Sequence, residues 1–246
     1  MHNVLLKEGI EVRKDGRINC LMKDGKVQSY KPWLMDIFSF SYDFLMAKSV
    51  FPKKLSANMS VHEKKNKEIL VNWRDKKIIE LGTGSGSICS LIDSSNEYVG
   101  VDVSKGLLKR AAKRFGKNGK KHFELFLVSA QDLPFADATF DMAICNLSFN
   151  FFPDAHRVVR QVKRVLKKEG HFFCSVPVPE RNTKETQIHG TLRSAKDLKA
   201  LFENNGFNFQ ELPPHNGAIF YFMASTCLWM KEIENPLDKG MFTHLK

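Results

Sequence analysis

The sequence has few cysteines, fewer acidic than basic residues and no long apolar run. Its 246 residues include five cysteines, which are scattered along the chain and never form a CxxC pair. This pattern indicates neither a disulfide framework nor a zinc site, and it predicts a protein of the reducing cytoplasm. The longest charge-free apolar run, residues 218–230, is too short to span a bilayer, and the charged N-terminus argues against a secretory leader.

The excess of basic residues narrows the choice of partners only slightly. Lys and Arg number 38 against 27 Asp and Glu, which gives a net charge of +11. Such a charge suits nucleic acid, a small anionic substrate or solubility alone. The lysines alternate with apolar positions along predicted helices, as on solvated helix faces, so a nucleic-acid partner is not favoured. With 43% hydrophobic and 26% charged residues, the chain is expected to form a packed core.

From residue 76 onward, short apolar strands alternate with amphipathic helical segments. Strands are predicted at residues 76–81, 98–103, 123–128, 140–145, 171–177, 207–212 and 218–226. Helices are predicted at residues 105–115, 155–168 and 195–205, with Ser104 and Ser194 as N-caps and Gly170 just after the second helix. The alternation predicts an α/β, doubly wound, seven-stranded sheet that is mostly parallel and covered by helices on both faces.

The first seventy residues differ from the rest of the chain. Residues 11–30 contain two Asp-Gly pairs between short alternating stretches, which is typical of a β-hairpin. Residues 31–70 are predicted to be helical and are rich in aromatic side chains. We therefore expect an N-terminal helical and hairpin cap or lid at residues 1–70, followed by one domain at residues 71–246.

A glycine-rich turn follows the first strand of the alternating region, in the sequence Glu80-Leu-Gly-Thr-Gly-Ser-Gly86. Three closely spaced glycines let the backbone touch a ligand without interference from Cβ atoms. The helix expected after the turn would add its N-terminal amides. The third glycine comes one residue too early for G-x-G-x-x-G, which argues against a nicotinamide or flavin site.

An acidic residue follows at the end of the second strand. Asp102 lies at about the distance from the glycine turn that is expected of a ribose-binding acid. Its carboxylate could accept hydrogen bonds from both hydroxyl groups of a nucleoside ribose. Because Asp102 ends a buried-looking strand, a ligand role is favoured over that of an ordinary surface aspartate.

A third motif spans residues 129–135 and continues to residue 141 at the start of the fourth strand. In this order, the three motifs resemble those of the class I S-adenosylmethionine (SAM) dependent methyltransferases, most closely the UbiE-like, or methyltransferase type 11, branch. The resemblance covers residues 76–206. It implies a Rossmann-like methyltransferase fold, SAM as cofactor and S-adenosylhomocysteine as product.

The resemblance assigns the methionine end of the cofactor to the glycine turn. Gly82, Thr83 and Gly84 would lie against the methionine part. Glu80 would orient the turn or meet the ammonium group. Asn146, just after the fourth strand, matches the position whose backbone approaches the same end.

The resemblance also implies residues for the nucleoside end. Asp102 would bind the ribose and Val103 would lie beside the adenine. Ser129, Ala130 and Gln131 match the positions at the edge of the ring, although many relatives have an aspartate where Ser129 stands.

The methyl acceptor implied by this branch is a small molecule, which the positive charge would allow to be anionic. A general base, where one is needed, would be His189 or His156. Tyr42 matches a residue that often helps to close the cofactor pocket. Strand four ends in Asn146-Leu-Ser-Phe149, without the proline pair of methyltransferases that act on base amines, so that chemistry is disfavoured. An RNA or protein methyltransferase and a SAM-binding protein without catalysis remain the alternatives.

Overall fold

The structure, a computed structural model, describes residues 4–30 and 42–226, with Tyr42 described by its backbone alone. A mixed sheet of ten strands forms its centre. The strands are β1 (Val12–Asp15), β2 (Ile18–Lys23), β3 (Lys26–Val27), β4 (Lys77–Leu81), β5 (Glu97–Asp102), β6 (Phe123–Leu127), β7 (Phe140–Asn146), β8 (Leu166–Pro177), β9 (Asn208–Glu211) and β10 (Ile219–Ser225). Their order is β1-β2-β6-β5-β4-β7-β8-β10-β9, and β3 pairs with β2. The strands from β2 to β8 in this order run parallel, whereas β10 pairs antiparallel with both β8 and β9, as predicted for the last two strands.

Helices flank the sheet. They are α1 (Tyr42–Leu45), which continues as a π-helix over Met46–Lys54, then α2 (Met59–Leu70), α3 (Lys105–Lys117), α4 (Ala155–Val165) and α5 (Ala195–Asn204). The predicted N-caps are confirmed, because the Ser104 and Ser194 side chains accept the amides of Leu107 and Asp197. Of the helices in the described part of the chain, none is both long and apolar enough to cross a membrane.

Both faces of the sheet are buried. Ile78 and Ile79 are neighbours on β4 and are both fully buried, but they belong to two different hydrophobic clusters. Successive side chains of a strand point to opposite faces, so each face of the sheet has its own core. The prediction of a doubly wound α/β sheet is therefore confirmed.

The predicted number of seven strands is wrong. The seven strands from β4 to β10 are present, and the N-terminal hairpin adds three more at the edge of the sheet. Strand β2 runs parallel to β6, with Ile18 opposite Leu125 and Cys20 opposite Leu127. The Asp-Gly signal locates the hairpin correctly, but a local turn signal does not determine which surface the hairpin joins. The boundary between residues 70 and 71 stays a prediction.

The end of α4 also differs from the prediction. The helix stops at Val165 rather than at residue 168, and Leu166 is extended and pairs with Phe140 of β7. Gly170 lies inside β8, where a Cβ atom would come within 2.9 Å of the Leu166 Cβ. Tertiary strand pairing here overrides the helical pattern of the local sequence.

Candidate functional site

The carboxyl ends of β4, β5, β6 and β7 meet at one edge of the sheet, and the glycine turn lies there. Gly82 has a φ of +67°, and a Cβ atom on it would come within 2.5 Å of the Ser148 Cβ. The Ser148 hydroxyl donates to the Gly82 carbonyl over 3.0 Å. Gly86 packs against α3, where its Cβ would lie 3.2 Å from the Cβ of Ala111. The turn therefore requires glycine for its conformation and for close packing.

The prediction of a helix directly after this turn is wrong. Residues 83–88 form turns, and Cys89–Leu91 is a single 3-10 turn. Ten residues separate Gly86 from β5, and they must also reverse the chain direction. Backbone donors at this edge of the sheet therefore come from the turn itself.

Asp102 and the glycine turn are joined by hydrogen bonds. The Gly84 amide donates to one carboxylate oxygen of Asp102 and the Ser104 amide to the other, each over 2.8 Å. A carboxylate oxygen has two lone pairs, so each oxygen can accept more than one hydrogen bond. Val103, next in the chain, keeps 38% of its surface exposed. A half-exposed acid, an exposed apolar side chain and bare backbone together fit a nucleoside with an amino-acid tail.

Glu80 lies beneath the turn rather than on its surface. Its side chain is buried, and its carboxyl group accepts a hydrogen bond from the Tyr98 hydroxyl. The Thr83 hydroxyl donates to the Glu80 carbonyl over 3.1 Å and occupies the space that a side chain on Gly100 would need. Burial raises the pKa of Glu80 to about 8, with a smaller increase from the negative charge of Asp102, although the Tyr98 hydrogen bond lowers it. This placement favours orientation of the turn over contact with an ammonium group.

The three residues expected at the adenine edge follow β6. The Ser129 amide donates to the Tyr30 hydroxyl, and the Ser129 hydroxyl accepts from the Gln131 amide. Ala130 is buried. The Gln131 side-chain oxygen accepts the amide of Asp154 at the start of α4, so this side chain caps the helix. The predicted contact of these three residues with the adenine stays a prediction.

Asn146 ends β7 and is half-buried. Its side-chain oxygen lies 2.7 Å from the Ser175 hydroxyl and 2.9 Å from His62 Nε2, and its carbonyl accepts from Ser148 over 3.1 Å. Because Ser148 also bonds Gly82, the tip of β7 is tied to the glycine turn. The sequence contains no signal for His62, which comes from α2 and reaches the site only through tertiary packing.

The predicted role of Tyr42 rests on a side chain that lies outside the described residues. Its neighbour Asp43 contacts the site, which the sequence analysis missed. One oxygen of Asp43 accepts from the Ser85 hydroxyl over 2.6 Å, and the other accepts from Arg110 and Arg114 over 2.7 and 2.5 Å. Burial acts to raise the pKa of Asp43, but these hydrogen bonds and the positive charges lower it overall. The i, i+4 spacing of the two arginines on α3 is the signal that could have indicated an acidic partner.

Replacement of Asp43 by alanine is expected to reduce the free energy of unfolding by about 1–2 kcal/mol. Two arginines and Ser85 lose a charged acceptor, and partial exposure of the ion pairs limits the effect. Because its folded pKa is lowered, this stabilisation is present above the unfolded value of 3.8 and is lost as the pH falls below it. Urea unfolding measures both effects. Asp137→Ala, which removes a more exposed partner of Arg164, is the control, and an equal loss in the two variants would contradict the prediction.

Among the residues that the structure describes, no hydrogen bond joins the ring of either histidine proposed as a base to a predicted cofactor residue. His156 is exposed in the first turn of α4. His189 is exposed in the loop after β8, and its carbonyl accepts from the Asn150 side chain over 2.6 Å. Within residues 4–30 and 42–226, no three His, Cys, Asp or Glu side chains are grouped so that they could hold a metal ion.

Comparison with known proteins agrees with this geometry. The methyltransferase domain family of type 11 matches residues 79–174. The uncharacterized methyltransferase YcgJ of Bacillus subtilis is 26% identical over 185 residues, which are 70% of this chain and 71% of that protein. The demethylmenaquinone methyltransferase of Thermotoga maritima is 31% identical over 164 residues, or 65% of this chain and 66% of that protein.

A solved structure supports the same fold. A SAM-dependent methyltransferase from Aquifex aeolicus aligns with a TM-score of 0.55 and 16% identity, covering 75% of this chain and 96% of the other. The matched family segment contains the glycine turn, Asp102 and Asn146. The chain therefore belongs to the class I SAM-dependent methyltransferases, in the UbiE-like type 11 branch, and SAM is its cofactor.

Proposed function

We propose that this protein transfers the methyl group of SAM to an O, C or N atom of a small-molecule acceptor in the cytoplasm. The hydrogen bond between the Gly84 amide and Asp102 carries the proposal, because it joins the methionine and ribose halves of a nucleoside site. A relative named for demethylmenaquinone supports a small acceptor. The four described cysteines are free and buried, which supports a reducing compartment.

The chain contributes mainly binding and alignment. SAM supplies an electrophilic methyl group on a sulfonium, and the sulfur retains the C–S electron pair as the acceptor atom forms the new bond. Asp102 and the glycine turn would fix the nucleoside and the tail, so that the acceptor atom can approach in line. A proton released by the acceptor would pass to His189, to His156 or to solvent.

The acceptor is expected at the carboxyl edge of the sheet, where open α/β folds bind ligands. Two segments border this edge. The first is the turn after β7, in which Phe151 exposes 40% of its surface. The second is the loop after β8, which is bonded to this turn because the Thr191 amide donates to the Asn150 carbonyl over 2.7 Å. The exposed Phe151 side chain would suit an apolar part of the acceptor, and the basic residues of the loop after β8, which are Arg181, Lys184 and Arg193, would suit an anionic group on it.

The net charge of +11 favours one alternative, an RNA or protein methyltransferase. Phosphate-driven binding weakens steeply as ionic strength rises, whereas binding of a small acceptor in a pocket responds little. Measurement of acceptor binding at two salt concentrations separates these cases. A SAM-binding protein without catalysis would bind the cofactor and transfer no label to any acceptor.

We expect S-adenosylhomocysteine to stabilise the purified protein and NAD to leave it unchanged. A ligand at a hundred times its Kd adds about 2.7 kcal/mol, which corresponds to a rise in Tm of roughly 5–10 °C for a chain of this size. Thermal unfolding with each compound measures this difference. Transfer of labelled methyl from SAM to a panel of quinols, phenols and carboxylic acids then tests catalysis. Equal shifts with NAD, or none with S-adenosylhomocysteine, would contradict the proposal.

A further inference from the structure

A buried polar cluster lies behind the tip of β7. It joins four elements and contains His62 and Asn66 of α2, Asn146 of β7, Ser175 of β8 and Tyr221 of β10, and is called here the His62 cluster. Apart from the half-buried Asn146, each member has at most 4% of its surface exposed. Polar groups are costly to bury unless each donor faces an acceptor, so the orientation of each side chain in the cluster restricts the orientation of its neighbours.

The part of helix α2 that carries His62 is hydrogen-bonded to the loop before β10. The Asn58 side chain caps the helix, and its backbone exchanges two hydrogen bonds with the side chain of Asn216, over 2.9 and 2.7 Å. Lys65 donates to the Pro213 carbonyl over 2.8 Å. The position of the His62 ring is therefore set by the loop before β10 as well as by its own helix.

The proton positions in the cluster follow from its donors and acceptors. Burial raises the pKa of Tyr221 to about 12, so its hydroxyl keeps its proton and can donate to His62 Nδ1 over 3.0 Å. Burial lowers the pKa of His62 to about 4, with a smaller opposing effect of Asn146, so the ring is neutral near pH 7. A neutral ring that accepts at Nδ1 carries its hydrogen on Nε2. His62 Nε2 therefore donates to the Asn146 side-chain oxygen over 2.9 Å.

Asn66 supports the same assignment. Its Nδ2 stands 3.1 Å from His62 Nε2, which would place two donors face to face, and its buried Oδ1 has no partner. Exchange of the two amide atoms removes the first conflict, because Oδ1 then accepts from Nε2. The Asn146 oxygen, by contrast, already accepts from two donors, since Ser175 donates to it over 2.7 Å.

The orientation of the Asn146 side-chain amide is thus fixed by the two hydrogen bonds to its oxygen. Its Nδ2 donates to no residue in the described part of the chain, and it is not among the buried polar atoms that lack a partner. Asn146 itself ends β7 at the edge of the sheet where the glycine turn lies, since Ser148 bonds both the Asn146 and the Gly82 carbonyls. At this point the NH2 group of Asn146 is therefore available to donate a hydrogen bond, whereas its side-chain oxygen is already bonded to His62 and Ser175.

We propose that His62 is a positioning residue that, with Ser175, fixes the Asn146 amide so that its NH2 group donates to an oxygen atom of the bound ligand. That oxygen belongs either to the cofactor carboxylate or to the methyl acceptor. The second source rests on the proposed function, and it specifies an acceptor with a carbonyl, phenolate or carboxylate oxygen near the methylated atom. An ammonium group does not fit at this point, because it has only hydrogens to donate and no lone pair that could accept from the amide NH2 group.

The first test reads the proton positions in the ligand-free full chain by 15N NMR of the histidine rings. Wild-type His62 is expected to carry its proton on Nε2 at neutral pH. Asn146→Asp should raise the pKa of His62 well above the wild-type value of about 4, because a carboxylate stabilises the protonated ring. A proton on Nδ1, or an unchanged titration in the variant, would overturn the proposal. The result does not depend on cofactor binding, so it leaves the proposed function untouched.

The second test identifies the source of the oxygen. Calorimetry compares S-adenosylhomocysteine with its decarboxylated analogue on the wild type, His62→Phe, His62→Gln and a control variant. The control, His171→Phe, removes a histidine that packs edge-to-face with Trp73 instead. Roughly tenfold weaker binding of S-adenosylhomocysteine alone in His62→Phe, with recovery in His62→Gln, assigns the cofactor carboxylate. Unchanged binding of both compounds excludes the cofactor carboxylate; a loss of methyl transfer in His62→Phe that His62→Gln restores then assigns the methyl acceptor, and unchanged transfer would overturn the proposal. Equal weakening of both compounds in His62→Phe would overturn the proposal, because it shows a general structural role.

Discussion

Replacement of Asp102 by alanine is expected to weaken S-adenosylhomocysteine binding roughly ten- to hundredfold. The variant removes the charged acceptor of two backbone amides, those of Gly84 and Ser104, so the glycine turn loses one of its attachments to β5 and keeps those to the Val101 carbonyl. It also removes the group expected to bind the ribose. A hydrogen bond to a charged group contributes about 1.5–3 kcal/mol, which sets the size of the effect. Calorimetric titration of the folded variant measures it.

Asp141→Ala is the matched control for this variant. The Asp141 carboxylate also accepts a backbone amide, that of Lys77, and it pairs with Lys167, but it lies at the opposite end of the strands. The Asp141→Ala variant should be less stable than the wild type and should keep the wild-type affinity for S-adenosylhomocysteine. Unchanged affinity of Asp102→Ala, or the same loss of affinity in both variants, would remove Asp102 from the site.

Replacement of Glu80 by glutamine is expected to change how stability depends on pH. The folded pKa of Glu80 is about 8, above its ordinary value of 4.5, so between these values the folded state keeps a proton that the unfolded state releases. The wild type should therefore lose stability relative to Glu80→Gln as the pH rises through this range, by roughly 1 kcal/mol per pH unit. Below about pH 4.5 the difference should be constant.

Urea unfolding at several pH values from 4 to 8 provides the measurement. Comparison of the two proteins cancels the titration of groups that they share. Glu203→Gln, on the surface of α5, is the control and should give a curve parallel to that of the wild type. Parallel curves for Glu80→Gln and the wild type would show that Glu80 is charged in the folded protein.

The parts of the site that could be predicted from sequence depend on local structure. Gly82 and Gly84 follow a strand directly, and Asp102 ends the next one, so strand periodicity is enough to bring them to one edge. Asn146 was predicted through the family resemblance, and it also lies at the end of a strand, β7. The roles of these residues toward the cofactor stay predictions that the Asp102 variant begins to test.

The parts that were missed depend on contacts between distant segments. Asp43 reaches Ser85, and His62 reaches Asn146, across 42 and 84 residues of sequence. No periodicity or turn signal encodes such contacts. The same reason explains why the hairpin was assigned to a cap although β2 pairs with β6. The histidines that were proposed as bases, His156 at the start of a helix and His189 in a loop, are exposed, whereas His62, which bonds Asn146, is buried.

The addition of the hairpin to the sheet changes which strands form its borders. Without it, the buried strand β6 would be an open edge, and unpaired apolar edges promote pairing with other chains. The outermost strands are instead β1 and β9, each only four residues long. Strand β1 exposes Arg13, Lys14 and Asp15 to solvent. A short, charged border of this kind disfavours strand-to-strand aggregation, so the hairpin protects the sheet during folding and at high protein concentration.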